Sequence, residues 1–197
     1  MKTYTRTITK DFPLLEIRYD TDAECPREWD NLGIFISKSL PDDKNNAGTS
    51  RERERAEALD AFMLKIYNDN DFDSAEEHIA EAEKQKPNYW IFPINKYEHG
   101  SISLAVGVSD GWDNTTTGFY FVEKNGEAKD YGREKIVDII AGEMEAMTDW
   151  LNGEVVSYTL FDDKGEVVDS CGGFYGIDDI KEHLPEEVIG EILTPKN

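Results

Sequence analysis

The apolar positions change their period several times along the chain. In "PLLEIRYD" they alternate: Leu15, Ile17 and Tyr19 share one face and Glu16 and Arg18 the other, which predicts a half-buried strand. "LGIFIS" (32–37) reads as a second strand. "KSLPDDKNNAGTS" (38–50) has Pro, Gly, Asn and Asp without periodicity and reads as a loop. The period then becomes helical. Leu59, Phe62, Met63, Ile66 and Tyr67 form one stripe, with Ser50 placed to cap the helix. A second helix, over 73–86, has a thin apolar side of Ala75, Ile79 and Ala82 and ends at Pro87. It is expected at the surface, with its acidic side in water and Asp73 as its cap.

Strand patterns return with "YWIFPINKY" and "SISLAVGV", which flank "EHG" as a hairpin would. "GFYFVEK" places Phe119 and Phe121 on one face, and Asn125-Gly126 marks a turn. Ile136, Ile140, Met144, Met147 and Leu151 give the strongest helical stripe, stopped by Asn152-Gly153. "EVVSYTLFD" and "EVVDSCGGF" predict a second hairpin around Asp162-Asp163-Lys164-Gly165. "IDDIKEHLPEEVIGEIL" closes the chain as one helix or two short ones, with Pro185 suited to a first helical position. The sum is an α+β fold: an antiparallel β-sheet with helices packed on one face. It is expected as a single domain over 1–197 with a helical insertion near 51–86.

Composition narrows the class. The 197 residues, 39% hydrophobic, suffice for the core of one domain. No apolar run reaches the 18 or so residues of a membrane span, so none is expected. "MKTYTRTITK" has no apolar stretch followed by small residues and is read as the start of the mature chain. Two cysteines, Cys25 and Cys171, are too few for a disulfide framework and are read as reduced thiols of a cytoplasmic protein.

Charge changes the picture more. The chain has 42 acidic and 21 basic residues, a net charge of −21. Residues 1–55 have 11 acidic and 10 basic residues (−1), residues 56–135 have 16 and 8 (−8), and residues 136–197 have 15 and 3 (−12). That balance argues against direct nucleic-acid binding and against docking on an anionic membrane. It favours fast association with basic partners.

The familiar chemistries lack their parts. Asp69, Asp71 and Asp73 stand at positions 1, 3 and 5 of a calcium loop, but Ser74 and Ala80 fill positions 6 and 12, where that loop needs Gly and Glu. Asp20, Asp22 and Glu24 are acidic neighbours without further support for a metal. His78, His99 and His183 are isolated from one another. No phosphate-cradling glycine motif and no GxSxG is present. Cys171 needs a histidine brought to it in space to act as a nucleophile, and Gly172-Gly173 is also explained by a strand-end bulge. No cofactor or metal is expected. The tripeptide Trp-Asp-Asn occurs twice, as Trp29-Asp30-Asn31 and Trp112-Asp113-Asn114. Asp and Asn favour turns, and Trp anchors a loop on a core, so both copies are read as anchored turns, with a paired binding site as the alternative.

"PREWDNLG" (26–33), "YWIFPINKYEHGSISLAV" (89–106), "GWDNTTTGFYFVEK" (111–124) and "DSCGGFYG" (169–176) follow one another in an order that resembles a family of proteins encoded by bacteriophages and mobile elements. Gly172 or Gly173 departs from a tryptophan of that family, and the chain reads His99-Gly100-Ser101-Ile102 where the family has HSGI. The resemblance carries over no catalytic residues, and Asp169 and Cys171 belong to its signature together with the two Trp-Asp-Asn segments. It implies a setting, the cytoplasm of a bacterial host.

In that setting the charge points to a binding protein. It would inhibit a host nucleic-acid-directed effector as a DNA mimic, a CRISPR nuclease complex first and a restriction enzyme next. The expected contact residues are Asp69, Asp71, Asp73, Glu76, Glu77 and Glu81 on one helix, and Asp178, Asp179, Glu182, Glu186, Glu187 and Glu191 on the C-terminal helix. The alternatives are a metal- or ligand-binding enzyme with its site near the Trp-Asp-Asn turns and "DSCGGFYG", and an accessory phage protein.

Overall fold

A computed structural model describes residues 3–6, 12–37, 50–70, 72, 74–107, 114–176, 178–186 and 188. The strands are β1 (Thr3–Arg6), β2 (Leu14–Tyr19), β3 (Ile34–Ser37), β4 (Tyr89–Glu98), β5 (Ile102–Val106), β6 (Asn114–Glu123), β7 (Val156–Phe161) and β8 (Val167–Phe174). The helices are α1 (Ser50–Asp69), α2 (Ala75–Gln85) and α3 (Arg133–Asn152). The α+β class is observed, with the helical insertion where the stripe placed it. The strands, however, form two antiparallel sheets instead of one. The chain gathers into two compact units, Met1–Glu24 with Asp149–Asn197, and Cys25–Thr148.

The first unit is built from the two ends of the chain. Its sheet has the order β1-β2-β7-β8, and β2 lies along β7 with Ile17 opposite Tyr158 and Leu15 opposite Leu160. Alternation therefore sends Leu15, Ile17, Val156, Tyr158 and Leu160 into one core, joined by Phe174, Ile180, Leu184 and Val188. The C-terminal segment, expected as one helix or two short ones, is a 3-10 turn over Asp179–His183, with Glu186 and Val188 helical after Pro185. Pro185 gives the reason. The residue before a proline is pushed out of the helical region, and Leu184 is extended. Helix α3 ends as its sequence says: Gly153 N–H donates to the Trp150 carbonyl at 3.1 Å and Glu154 N–H to that of Asp149 at 2.8 Å, around a left-handed Gly153.

The second unit centres on a sheet of order β3-β6-β4-β5. Pro93 is tolerated in the central strand β4 because its pairing with β5 reaches only to Ile94. One face of the sheet offers Ile36, Ile91 and Phe121 to Leu59, Met63 and Ile66 of α1 and to Ile79 and Ala82 of α2. The neighbouring residues Phe92 and Tyr120 point the other way, to α3: the Arg133 guanidinium lies 4.6 Å from the Phe92 ring centre, and Tyr120 bonds Glu143. Helices thus cover both faces, where the sequence led us to expect one. The α3 stripe explains this, since Ile136, Ile140, Met144 and Met147 are all buried and need an apolar surface of their own.

Ile140 is fully buried. Ile140→Ala is expected to cost about 2–5 kcal/mol in urea unfolding, whereas Glu145→Ala on the exposed side of the same helix should stay within about 0.5 kcal/mol of wild type.

Candidate functional site

Three regions hold the residues singled out above. The first Trp-Asp-Asn segment, in the second unit, follows a 3-10 turn, Pro26–Glu28, which Pro26 starts. Asn31 closes the turn, its backbone N–H donating to the Trp29 carbonyl at 2.9 Å and its side-chain amide to the Pro26 carbonyl at 2.8 Å. Asp30 is exposed. Trp29, expected to anchor the loop, keeps 37% of its surface in solvent.

Polar groups hold the segment. The Glu143 carboxylate of α3 accepts the Leu32 N–H at 2.9 Å and the Tyr120 hydroxyl. The Tyr120 oxygen in turn accepts the Gly33 N–H at 2.9 Å. Gly33 is needed for this approach, since a Cβ there would stand 2.2 Å from the Phe121 carbonyl oxygen. Arg27 donates to the Phe35 carbonyl and lies over the Phe35 ring, its centre 5.4 Å from the guanidinium carbon. Burial raises Glu143 above the ordinary carboxylate range, against the opposing bonds from Tyr120 and Leu32. Burial also raises Tyr120, with the Glu143 charge adding to it. A half-buried carboxylate beside a tyrosine can serve as an acid–base pair, but here one Glu143 oxygen and the Tyr120 oxygen each take a backbone amide. Their work is to hold a loop. Tyr120 and Glu143 escaped the sequence reading; the available signal was a carboxylate seven residues after Ile136 and three after Ile140, at the flank of the apolar stripe. Trp112 and Asp113 lie outside the described residues, and Asn114 opens β6.

The segment "DSCGGFYG" lies in the first unit, on β8 and just after it. Between the pairs Tyr158–Cys171 and Val156–Phe174, two residues of β8, Gly172 and Gly173, face the single Ser157, which is a bulge. Asp20 supports it by accepting the Gly173 N–H at 2.8 Å. Asp169 accepts the Tyr158 hydroxyl at 2.7 Å. Cys171 is exposed and Cys25 buried, and neither is in a disulfide. The His183 ring packs edge-on to Phe174, with centroids 5.1 Å apart.

The acidic residues divide between the units. In the second, Asp69 ends α1 exposed, and Glu76 and Glu77 are exposed on the first turn of α2. Ser74, not Asp73, caps that helix, accepting the Glu77 N–H at 3.3 Å. Glu81 is engaged by Lys84 and Gln85 at 3.1 and 2.9 Å. In the first unit Asp178, Asp179, Glu182 and Glu186 are exposed. Asp71, Asp73, Glu187 and Glu191 lie outside the described residues. Among the described residues, no group of three His, Cys, Asp or Glu is placed to hold a metal ion, and no helix is long and apolar enough to cross a membrane. A cavity of about 410 Å³ in the second unit is lined by Met63, Leu64, Tyr67 and Phe119, three threonines and one carboxylate, Asp60.

A scan against protein-family models found no match to the chain, and searches of curated proteins and of solved structures found none either.

The Glu143 node makes two predictions. Tyr120→Phe strands the Gly33 N–H and removes a donor from Glu143, so it should cost about 1–3 kcal/mol in urea unfolding. Because the folded state raises the Glu143 pKa, it favours the protonated form. That contribution is complete below the unfolded pKa and is lost as pH rises through the folded one. The stability of wild type minus that of Glu143→Gln should therefore fall as pH rises across this window. A flat or rising difference would show that burial does not dominate.

Proposed function

We propose that this protein is an acidic inhibitor that occupies the basic nucleic-acid groove of a host defence effector in the bacterial cytoplasm. A CRISPR nuclease complex is the first candidate and a restriction enzyme the second. The observation that carries the reading is the exposed surplus of carboxylates, set against a net charge of −21. Asp69, Glu76 and Glu77 supply it in one unit, and Asp178, Asp179, Glu182 and Glu186 in the other. Carboxylates presented in this way replace phosphates against Arg and Lys, and such complexes form fast and weaken with salt. The choice of a defence effector rests on the resemblance to phage and mobile-element proteins. Also in support, the carboxylates of the first Trp-Asp-Asn region and of "DSCGGFYG" that are turned inward hold their own fold: Glu143 pins Leu32 and Tyr120, and Asp20 pins Gly173.

The test mixes the protein with Cas effectors and restriction enzymes and follows DNA cleavage at low and high salt. Inhibition should be strong at low salt and decline as salt is added. Neutralising the exposed set (Asp69→Asn, Glu76→Gln, Glu77→Gln, Asp178→Asn, Asp179→Asn, Glu182→Gln, Glu186→Gln) should weaken it by about tenfold or more. Asp30→Asn, Asp113→Asn and Asp169→Asn should leave it nearly unchanged; loss of activity in these would favour a chemical site. Absence of inhibition toward every effector would overturn the proposal.

A further inference from the structure

Strand β8 is the last in the order β1-β2-β7-β8, and no strand among the described residues pairs with its outer edge. Seven successive residues, Val167 to Gly173, are exposed. Val167 and Val168 are 59% and 51% exposed, above the other exposed large apolar residues. Sheet edges are normally guarded by lysine, proline, charge or bulges. This one has no lysine, arginine or proline, and its single charge, Asp169, is engaged by Tyr158. Two register shifts bend the ends of the strand and leave Asp169–Cys171 in regular pairing with Leu160–Tyr158. A short accessible stretch of edge remains, Asp169–Cys171, with Val167 and Val168 exposed at its start.

Charge selects the occupant. Residues 136–197, which contain β8, have 15 acidic and 3 basic residues. Around the strand Asp163, Glu166, Asp178 and Asp179 are exposed. A second copy would bring the same surplus against itself. An extended segment rich in Lys and Arg, with β-branched residues between them, would gain the ladder bonds, contact with Val167 and Val168, and the attraction of the surrounding acids. We infer that β8 is a docking edge that takes up such a basic segment of a partner protein as a fifth strand. This rests on the proposed function in one respect, that the partner is basic, and it identifies where on the first unit that partner engages.

The probe is a short alternating Lys-Val peptide, compared with the same peptide N-methylated at every second residue. Methylation keeps the charge and removes ladder donors. Binding to the full chain is titrated at low salt, and amide hydrogen exchange locates it. The unmodified peptide should slow exchange within 167–173 and bind about tenfold or more tightly than the methylated one. Val167→Ser with Val168→Ser, which leaves the charge unchanged, should weaken the unmodified peptide alone. Equal binding of the two peptides, or protection away from β8, overturns strand addition and leaves the charge-based function standing. Protection of β8 without peptide that grows with protein concentration also overturns it, in favour of self-pairing. Protection by the peptide in a protein that inhibits no effector supports the edge and removes the function proposed above.

Discussion

Every part of this fold has to hold against a surplus of 21 negative charges. Self-repulsion of that size works against any compact state. Ion pairs do little to offset it. Those among the described residues, such as Lys84–Glu81 and Arg133–Glu83, each have at least one partner well exposed, where solvent screens the pair. Apolar burial has to prevail instead. Each fully buried aliphatic side chain contributes about 1.5–3 kcal/mol. The first unit invests this in Leu15, Leu160 and Ile180, the second in Ile66, Ile91, Ile136 and Ile140. The cores are also well satisfied: among the described residues no buried side-chain nitrogen or oxygen lacks a hydrogen-bond partner.

Several acidic residues turn a carboxylate oxygen to a backbone amide. Glu143 accepts the Leu32 amide, Glu83 accepts the Ile91 amide at 2.8 Å, and Asp20 accepts that of Gly173. Asp162 accepts the Lys164 and Glu166 amides at 2.9 and 2.8 Å and so shapes the turn before β8. A carboxylate used in this way satisfies a backbone donor that a loop or strand end would otherwise leave unpaired. The same residue type therefore has two roles in the chain. Outward, it builds a negative surface; inward, it pins loops to the core. The pinned loops hold their backbone in one arrangement.

The long periodic elements were legible in the sequence. The stripes of α1 and α3, the alternation of β2 and the "EHG" hairpin all report local periods, and the structure keeps them. Gly172-Gly173 was legible as a bulge because two glycines at a strand end have few other uses. The pairing of β2 with β7, which draws the chain ends into one unit, was not legible, since it joins residues more than 130 apart with no local mark. The helices on both faces of the second sheet escaped for the same reason. Periodicity says that a face is buried but not against what. The C-terminal segment divides at Pro185, a proline the sequence already placed at a helix start: a 3-10 turn precedes it, and Glu186 and Val188 after it are helical. Near Trp29, the polar groups that hold the segment, the Glu143 carboxylate and the Tyr120 phenol, come from distant parts of the chain and left no local mark.

Each unit has its own apolar core and its own exposed carboxylates. The central claim is that the protein and DNA compete for one groove. A labelled DNA duplex bound to a Cas effector, titrated with the protein, tests it most directly. The account predicts mutually exclusive binding, with the DNA fully displaced and no complex containing all three components. A stable ternary complex, with DNA still bound in the presence of saturating protein, would contradict it.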